Sequence, residues 1–167
     1  MNSLGLVQGG ACPFSGRGRA EDRYATEFFS LKADLAAHVC DQWFVLSERH
    51  GVVAPDEEVD GVDRAFTDLQ PGEQARWAMD VVSDVASRVR KREYERVHVF
   101  ADRPMREALK ERGGMLSRVS AAGAETTEPL AGIGGQDRQE QWLREQLDIR
   151  RGDDAEEAPD PAAEWSD

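Results

Sequence analysis

The sequence predicts an α/β fold: a compact, mostly parallel sheet of about four strands with helices on both faces, and a disordered acidic C-terminal tail. Short apolar runs alternate with longer segments whose apolar residues recur every three or four positions. This alternation is typical of parallel strands joined by helices. With 167 residues, 40% of them hydrophobic, the chain can bury one core. We therefore expect a single α/β domain at 1–149 and the tail at 150–167.

The first part of the chain predicts two strands and the helix between them. Residues 3–8, SLGLVQ, read as a buried strand, and the glycine-rich residues 9–20 read as a loop. A helix is predicted over 21–39 from apolar residues spaced at three and four. These residues are Tyr24, Phe28, Leu31, Leu35 and Val39. Residues 42–47 form the second strand.

An acidic loop then leads to a second long helix, which begins at Pro71 and Gly72. Its apolar stripe consists of Trp77, Val81, Val85 and Val89. The third strand is predicted at 97–100. A short helix follows from Asp102 and ends at Gly113.

The last part of the chain predicts one more strand and one more helix. Residues 115–119, MLSRV, are expected to be the fourth strand, and 120–128 are left unassigned. The glycine-rich segment 132–136, GIGGQ, opens a helix that should run to about Leu147. No periodic pattern follows it, and proline, alanine and acidic residues predominate there, which is typical of disorder.

The charge balance bears on habitat and on partners. Net charge is -12, with 33 acidic residues, and the 21 basic residues include only three lysines, Lys32, Lys91 and Lys110. This composition predicts a halophilic protein that works in molar salt, or else an acidic protein from a GC-rich genome. Molar salt screens repulsion from phosphates but also removes affinity gained by counterion release. The charge therefore argues against a nucleotide or RNA partner without excluding one.

The cysteines and the hydropathy predict a reduced, cytoplasmic protein without a membrane partner. Cys12 and Cys40 are the only cysteines, and no apolar run approaches the roughly 20 residues of a membrane span. No cysteine or histidine spacing indicates a metal site. Cofactor, substrate and oligomeric state are not predicted.

The candidate site lies where loops leave the predicted strands. The loop 9–20 follows the first strand, Arg49-His50-Gly51 follow the second, and Asp102 follows the third. Gly132–Gly135 precede the last helix. Loops at the carboxyl ends of parallel strands form the ligand crevice in this architecture, so these four segments are expected to meet at one edge of the sheet.

Each segment has a possible chemical role. His50 could be a general acid or base, and Arg49 could hold an anion, although both could simply stabilise a turn. Gly9 and Gly10 could form a backbone nest with Arg17 and Arg19 nearby. The other candidate ligand-binding residues are Gly51, Gly132, Gly134, Gly135 and Gln136.

Cys12 could be a thiol nucleophile or a buried spectator. Gln136 could read a base edge or could cap the last helix.

Two blocks of the sequence resemble domain-of-unknown-function family 6884, found in archaea and bacteria. DQWFVLSERHGVVAPDEEV, at 41–59, is similar to its D-W-[FY]-[IV]-L-S-A-K-H-G-L-[LV]-x-P block. PLAGIGGQDRQEQWL, at 129–143, is similar to its closing block. The resemblance covers roughly residues 4 to 147. It implies a compact α/β fold and a distant kinship with domains of archaeal tRNA-base modification proteins and of the peroxide-stress family.

The resemblance assigns Ser47, with Arg49, His50 and Gly51, to the strand-tip motif, and Gly132, Gly134 and Gln136 to the terminal loop. One departure matters. The family usually has a cysteine followed by a lysine-rich cluster after the first strand, whereas this chain reads GGACP at 9–13, without lysine. Arginine cannot replace lysine where an amine must lose a proton.

Two functions are therefore expected. One is an enzyme, or a degenerate enzyme, acting on a nucleoside, nucleotide or RNA base, with His50, Arg49 and Ser47 as catalytic residues. The other is a non-catalytic ligand- or protein-binding member of the same family. A weaker third possibility is an interaction module that uses the acidic loop 56–63 or the tail.

Overall fold

A computed structural model describes residues 2–13 and 15–155, with the backbone alone at 153–155. Within these residues a five-stranded sheet has the order β4-β3-β1-β6-β7, and β2 and β5 form a separate antiparallel pair. The strands are β1 (Ser3–Gln8), β2 (Gly18–Arg19), β3 (Gln42–Ser47), β4 (Gly51–Val53), β5 (Glu58–Val59), β6 (Arg96–Phe100) and β7 (Glu125–Thr127). Neighbours among β3, β1, β6 and β7 run parallel, and β4 is antiparallel to β3. The predicted α/β fold with a mostly parallel sheet is confirmed.

Helices cover both faces of this sheet. They are α1 (Glu27–Val39), α2 (Pro71–Arg92), α3 (Arg103–Glu111), α4 (Met115–Ala122) and α5 (Gln136–Ala155). α1 and α5 pack on one face, and α2, α3 and α4 pack on the other. Along β1 the side chains alternate between the two cores: Leu4 and Leu6 point to the α2 face, and Val7 points to the α1 face.

The topology reverses at β1. The chain leaves β1 through α1 to reach β3 on one side, and it later returns through α2 to β6 on the other side. Because β1 leads to α1 on one face and β6 leads to α3 on the opposite face, the loops at the carboxyl ends of β1 and β6 diverge and leave a crevice between them. This is the topological switch point, where open α/β sheets bind ligands.

The first helix begins later than predicted, and a different set of its residues is buried. Thr26 caps it, since its Oγ1 accepts a hydrogen bond from the Phe29 backbone N–H at 3.1 Å. Between β2 and the cap the chain forms a short 3₁₀ turn at Ala20–Asp22. The buried residues of α1 are Phe29, Lys32, Ala33, Leu35 and Ala36. The prediction was wrong at the start because Tyr24 is buried from a loop.

The predicted strand at 115–119 is wrong, since these residues belong to α4. Gly114 has a φ of 65° at the N-cap, and the buried residues Met115 and Val119 are one helical turn apart. The spacing of four between them is the helical signal. The parallel edge strand is β7, which lies inside the stretch left unassigned.

The final helix runs past its predicted end near Leu147 and continues through Ala155. Arg150 is only 4% exposed. Residues 150–155 thus belong to a helix rather than to a disordered segment, and the predicted domain range 1–149 stays a prediction. The rest of the predicted tail, 156–167, lies outside the described residues.

Candidate functional site

A cavity of about 270 Å³ opens at the switch point, and we call it the switch-point pocket. It lies where β1 and β6 end and where α1 and α5 begin. Its walls are formed by Gln8, Gly9, Gly10, Ala11, Thr26, Phe28, Lys32, Ala65, Phe66, Thr67, Asp102 and Gln136. The convergence of three strand-exit or helix-entry segments, those of Gly9, Asp102 and Gln136, makes this pocket the strongest candidate site in the described part of the chain.

Lys32 supplies a buried amine to the pocket. The residue is 4% exposed, and its Nζ donates a hydrogen bond to the Gln8 carbonyl at 2.9 Å. The same Nζ lies 4.3 Å from the centroid of the Phe28 ring. Burial lowers the pKa of Lys32 from 10.5 to about 8, and the negative charge of Asp102 acts in the opposite direction.

Asp102 supplies a carboxylate whose orientation is held from two sides. The Gln8 side chain makes two hydrogen bonds with it: Gln8 Nε2 donates to Asp102 Oδ2 at 3.2 Å, and the Asp102 backbone N–H donates to Gln8 Oε1 at 2.7 Å. Its other oxygen caps α3 by accepting from the Met105 N–H at 3.1 Å. The pocket wall thus includes a donor, Lys32, a fixed acceptor, Asp102, and two aromatic residues, Phe28 and Phe66.

The glycines beside β1 are required by close packing and by backbone conformation. A Cβ atom on Gly9 would lie 2.5 Å from the Tyr24 ring, so a larger residue cannot fit without movement. Gly10 has a φ of 86°, in the left-handed region that favours glycine. Both line the switch-point pocket, where a ligand could approach the backbone closely.

A second buried polar cluster lies beneath the strand tip of β3. Asp63 is 3% exposed, and its Oδ2 accepts hydrogen bonds from the Tyr24 and Ser47 hydroxyls, each at 2.7 Å. Burial, together with the Asp63 hydrogen bond, raises the pKa of Tyr24 above its ordinary value. The backbones of Cys12 and Asp63 also pair, at 2.9 and 3.0 Å. The cluster joins the loop after β1 to the segment after β5.

The predicted strand-tip residues hold this turn together. Ser47 is 1% exposed, and its Oγ accepts from the His50 backbone N–H at 3.0 Å while it donates to Asp63. His50 is exposed, with Nε2 2.6 Å from the Asp60 carbonyl oxygen. Gly51 has a φ of 77° at the start of β4. Their roles in catalysis or binding stay predictions.

Arg49 lies outside the switch-point pocket, in a wider surface cavity of about 580 Å³ that we call the Arg49 groove. The groove carries as many acidic as basic side chains: Glu48, Glu73 and Asp80 against Arg49, Arg64 and Arg76. Arg64 pairs with Glu48 at 2.9 Å and with Glu73 at 3.2 Å. This balance makes the groove a weaker candidate for holding an anion.

The remaining predicted residues divide between the pocket and the surface. Arg17 and Arg19 are exposed and pair with Glu58 at 3.7 Å and Glu21 at 2.7 Å. Gln136 reaches the pocket wall as the first residue of α5. The three glycines before it are exposed, and no heavy atom lies within 4 Å of the position that a Cβ would take. They are Gly132, Gly134 and Gly135.

Sequence reasoning overlooked Lys32 and Gln8, and it placed Asp102 in a strand-exit loop without giving it a role. A signal for Lys32 existed. A chain that uses arginine for nearly every cation keeps a lysine on α1, among apolar residues. For Gln8, a polar residue at the end of a strand whose residues are all buried was the available signal.

Two further features of the described residues bear on chemistry. Among them, no group of three or more histidine, cysteine or acidic residues is arranged to hold a metal ion. Burial raises the pKa of Cys40 to about 12, and Cys12 is 1% exposed, with its thiol donating to the Arg23 carbonyl at 3.2 Å. Within the same range, no helix has the length and apolar character needed to cross a membrane.

Comparison with known proteins agrees with the resemblance noted in the sequence. No curated protein and no solved structure matches the chain. The family of unknown function DUF6884 matches residues 6–145, which include the second half of β1, every other strand of the sheet and the whole of the switch-point pocket. This chain therefore belongs to the DUF6884 family of unknown function.

Proposed function

We propose that the chain binds a nucleoside, or the base of a nucleotide or RNA, in the switch-point pocket and acts on it as an enzyme. The observation that carries the proposal is a buried donor, Lys32, and an oriented acceptor, Asp102, in one cavity with the rings of Phe28 and Phe66. A nucleobase presents both acceptors and donors on its edge and an aromatic face for stacking.

Size and charge support this class of ligand. A cavity of about 270 Å³ is near the small end of ligand pockets, so it suits one base or nucleoside rather than a dinucleotide. Asp102 offsets the charge of Lys32, which favours a neutral ring over a polyanion. In an RNA or a nucleotide, the phosphate would then remain outside the pocket.

Copurification and direct binding test the proposal. We would purify the protein in molar KCl, denature it, and identify released small molecules and RNA fragments by mass spectrometry. Titration calorimetry with bases and nucleosides would follow for the wild type, Lys32→Met and Asp102→Asn. Asparagine retains the N-cap role of Asp102.

We expect each substitution to weaken binding about tenfold or more, since a hydrogen bond to a charged group contributes roughly 1.5–3 kcal/mol. Lys91→Met, at an exposed position of α2, is the matched control and should bind as the wild type does. Absence of binding by every base and nucleoside would refute the proposal.

A second candidate keeps the chemistry at the strand tip, as the sequence predicts. The observation that favours it is that His50 is exposed next to Arg49, whose groove is open to solvent. Here His50→Ala should abolish activity or binding with little change in melting temperature. In our preferred proposal the same variant retains binding within about twofold of wild type, so the two sites are distinguishable.

The fate of the bound ligand distinguishes an enzyme from a binding protein. A ligand that is recovered unchanged after prolonged incubation, yet loses affinity in Lys32→Met, would identify a binding protein that keeps the fold and the pocket. A product released by the wild type and not by Asp102→Asn would identify an enzyme.

We also propose that the protein is halophilic and cytoplasmic, as its charge of -12 and its reduced-thiol composition suggest. Carboxylates that repel one another at low salt should then destabilise the fold. A melting temperature that rises from low to molar KCl would support this habitat, and one that is independent of KCl would count against it.

A further inference from the structure

Lys32 is unusual among the lysines of this chain. Lys91 is exposed on α2, and Lys110 pairs with Glu128 at 3.1 Å. Lys32 is 4% exposed, and among the described residues no carboxylate forms an ion pair with it. A buried ammonium that lacks an ion pair is unfavourable, so burial favours the neutral amine.

The surroundings of this amine suit a nucleophile. Nζ donates a hydrogen bond to the Gln8 carbonyl, and the residue lines a cavity of about 270 Å³, large enough for a small ligand. Asp102 lies on the wall of the same pocket and could pass protons. With a pKa near 8, Lys32 has roughly 300 times more neutral amine at pH 7 than an ordinary lysine.

We propose that Lys32 is a nucleophilic amine that forms an imine with the aldehyde carbon of a sugar bound in the switch-point pocket. In a nucleoside, attack of Nζ on the anomeric carbon would break the bond to the base, which leaves with one proton of the amine. The ribose ring would then open, its oxygen taking the second proton, and the same imine would remain. This reaction deepens the proposed function and rests on its pocket. It does not depend on recognition of a base.

The step balances without a further reactant. The lone pair of Nζ attacks the aldehyde carbon and forms a carbon–nitrogen bond. The carbonyl oxygen leaves as water with the two protons of the amine, and a carbon–nitrogen double bond remains. Water reverses the reaction, whereas an added hydride donor reduces the imine to a stable secondary amine.

Reductive trapping on the full chain tests the inference. The protein would be incubated at pH 7 with glycolaldehyde, the smallest sugar aldehyde, and sodium cyanoborohydride, and then digested for peptide mass spectrometry. We expect the peptide with Lys32 to be modified at least tenfold faster than those with Lys91 and Lys110. The α-amino group also reacts at this pH and is distinguished by its own peptide.

Two controls make a negative result decisive. The same reaction in urea should modify all three lysines at similar rates, which shows that each peptide can be detected. Lys32→Arg keeps a cation at this position and should leave only the modification of the other amines.

The inference would be overturned if the lysines of the folded protein were modified in order of their exposure, with Lys32 last or unmodified. Lys32 would then be a structural cation. The nucleoside titrations separate the two claims. Trapping at Lys32 without nucleoside binding refutes the proposed function alone, and binding without trapping refutes the imine alone.

Discussion

Replacement of Lys32 by methionine should make the protein more stable at neutral pH and should remove the gain in stability that this lysine gives as pH rises. The amine is buried, and its pKa falls from 10.5 to about 8 on folding. A pKa difference of this size means that the charged form of Lys32 lowers the free energy of unfolding by about 3 kcal/mol. Methionine has a similar length and no charge, and its thioether packs well against the Phe28 ring.

The sign follows from proton binding. Between pH 8 and pH 10.5 the unfolded chain keeps the lysine proton while the folded chain releases it, so the wild-type free energy of unfolding gains from this group as pH rises. Below pH 8 the destabilisation is present in full. A methionine side chain does not titrate, so the stability advantage of the Lys32→Met variant should shrink by about 3 kcal/mol from pH 7 to pH 10.5.

Urea unfolding at constant salt, followed by tryptophan fluorescence, would measure this difference at several pH values. Other groups titrate in the same range. The pKa of Tyr24 and that of Cys40 are both raised by burial, and these groups destabilise the folded state as pH rises. Their contribution is common to both proteins and cancels in the difference. The hydrogen bond lost to the Gln8 carbonyl lowers the variant's stability by about 1 kcal/mol at every pH.

A stability difference between the two proteins that does not change with pH would refute the reasoning. It would mean that Lys32 stays hydrated and charged in the folded state. Lys91→Met, on the exposed surface of α2, provides the control and should show no pH-dependent difference from the wild type.

Three further predictions concern other buried residues. Burial lowers the pKa of His98 from 6.5 to about 4, so the unfolded chain takes up the proton first as pH falls. The free energy of unfolding should fall by roughly 2–3 kcal/mol from pH 6.5 to pH 4. In urea titrations the His98→Gln variant should not show this fall. His38→Gln, at a site outside the core, is the control and should show it. Asp63→Ala removes the carboxylate that accepts from the Tyr24 and Ser47 hydroxyls and should lower the free energy of unfolding by roughly 3 kcal/mol. Asp60→Ala, at an exposed position, is the control, and an equal loss in it would contradict this explanation. Gly9→Ala should lower the free energy of unfolding by roughly 2 kcal/mol, because the new Cβ would lie 2.5 Å from the Tyr24 ring. Gly134→Ala, with open space around it, is the control and should melt within about 1 °C of wild type. Similar melting of both variants would show that the ring moves freely.

Much of the sheet could be predicted because its strands carry strong local signals. The predicted strands 3–8 and 42–47 coincide with β1 and β3, and the second helix begins at the expected Pro71. Parallel strands buried on both faces read as continuous apolar runs, which are hard to mistake. The region 115–127 was harder to predict, because MLSRV is short, and a short apolar segment does not distinguish a helix from a strand.

The pocket could be predicted in part. Gly9, Gly10 and Gln136 line it, as expected from loops that leave strands or precede helices. Lys32 could not be derived from periodicity, because a lysine within an amphipathic pattern is normally placed on the solvent side. Its burial depends on how α1 packs against β1, which is tertiary information.

The cluster around Asp63 has a consequence for evolution within the family. One carboxylate oxygen accepts from hydroxyls in two distant parts of the chain, Tyr24 and Ser47. Without the acid the Tyr24 hydroxyl loses this acceptor, whereas Ser47 Oγ still accepts from the His50 N–H. A relative in which position 63 becomes apolar should therefore carry phenylalanine at 24 and keep serine at 47. Positions 24 and 63 should be inherited as a pair, independently of whatever ligand each member binds.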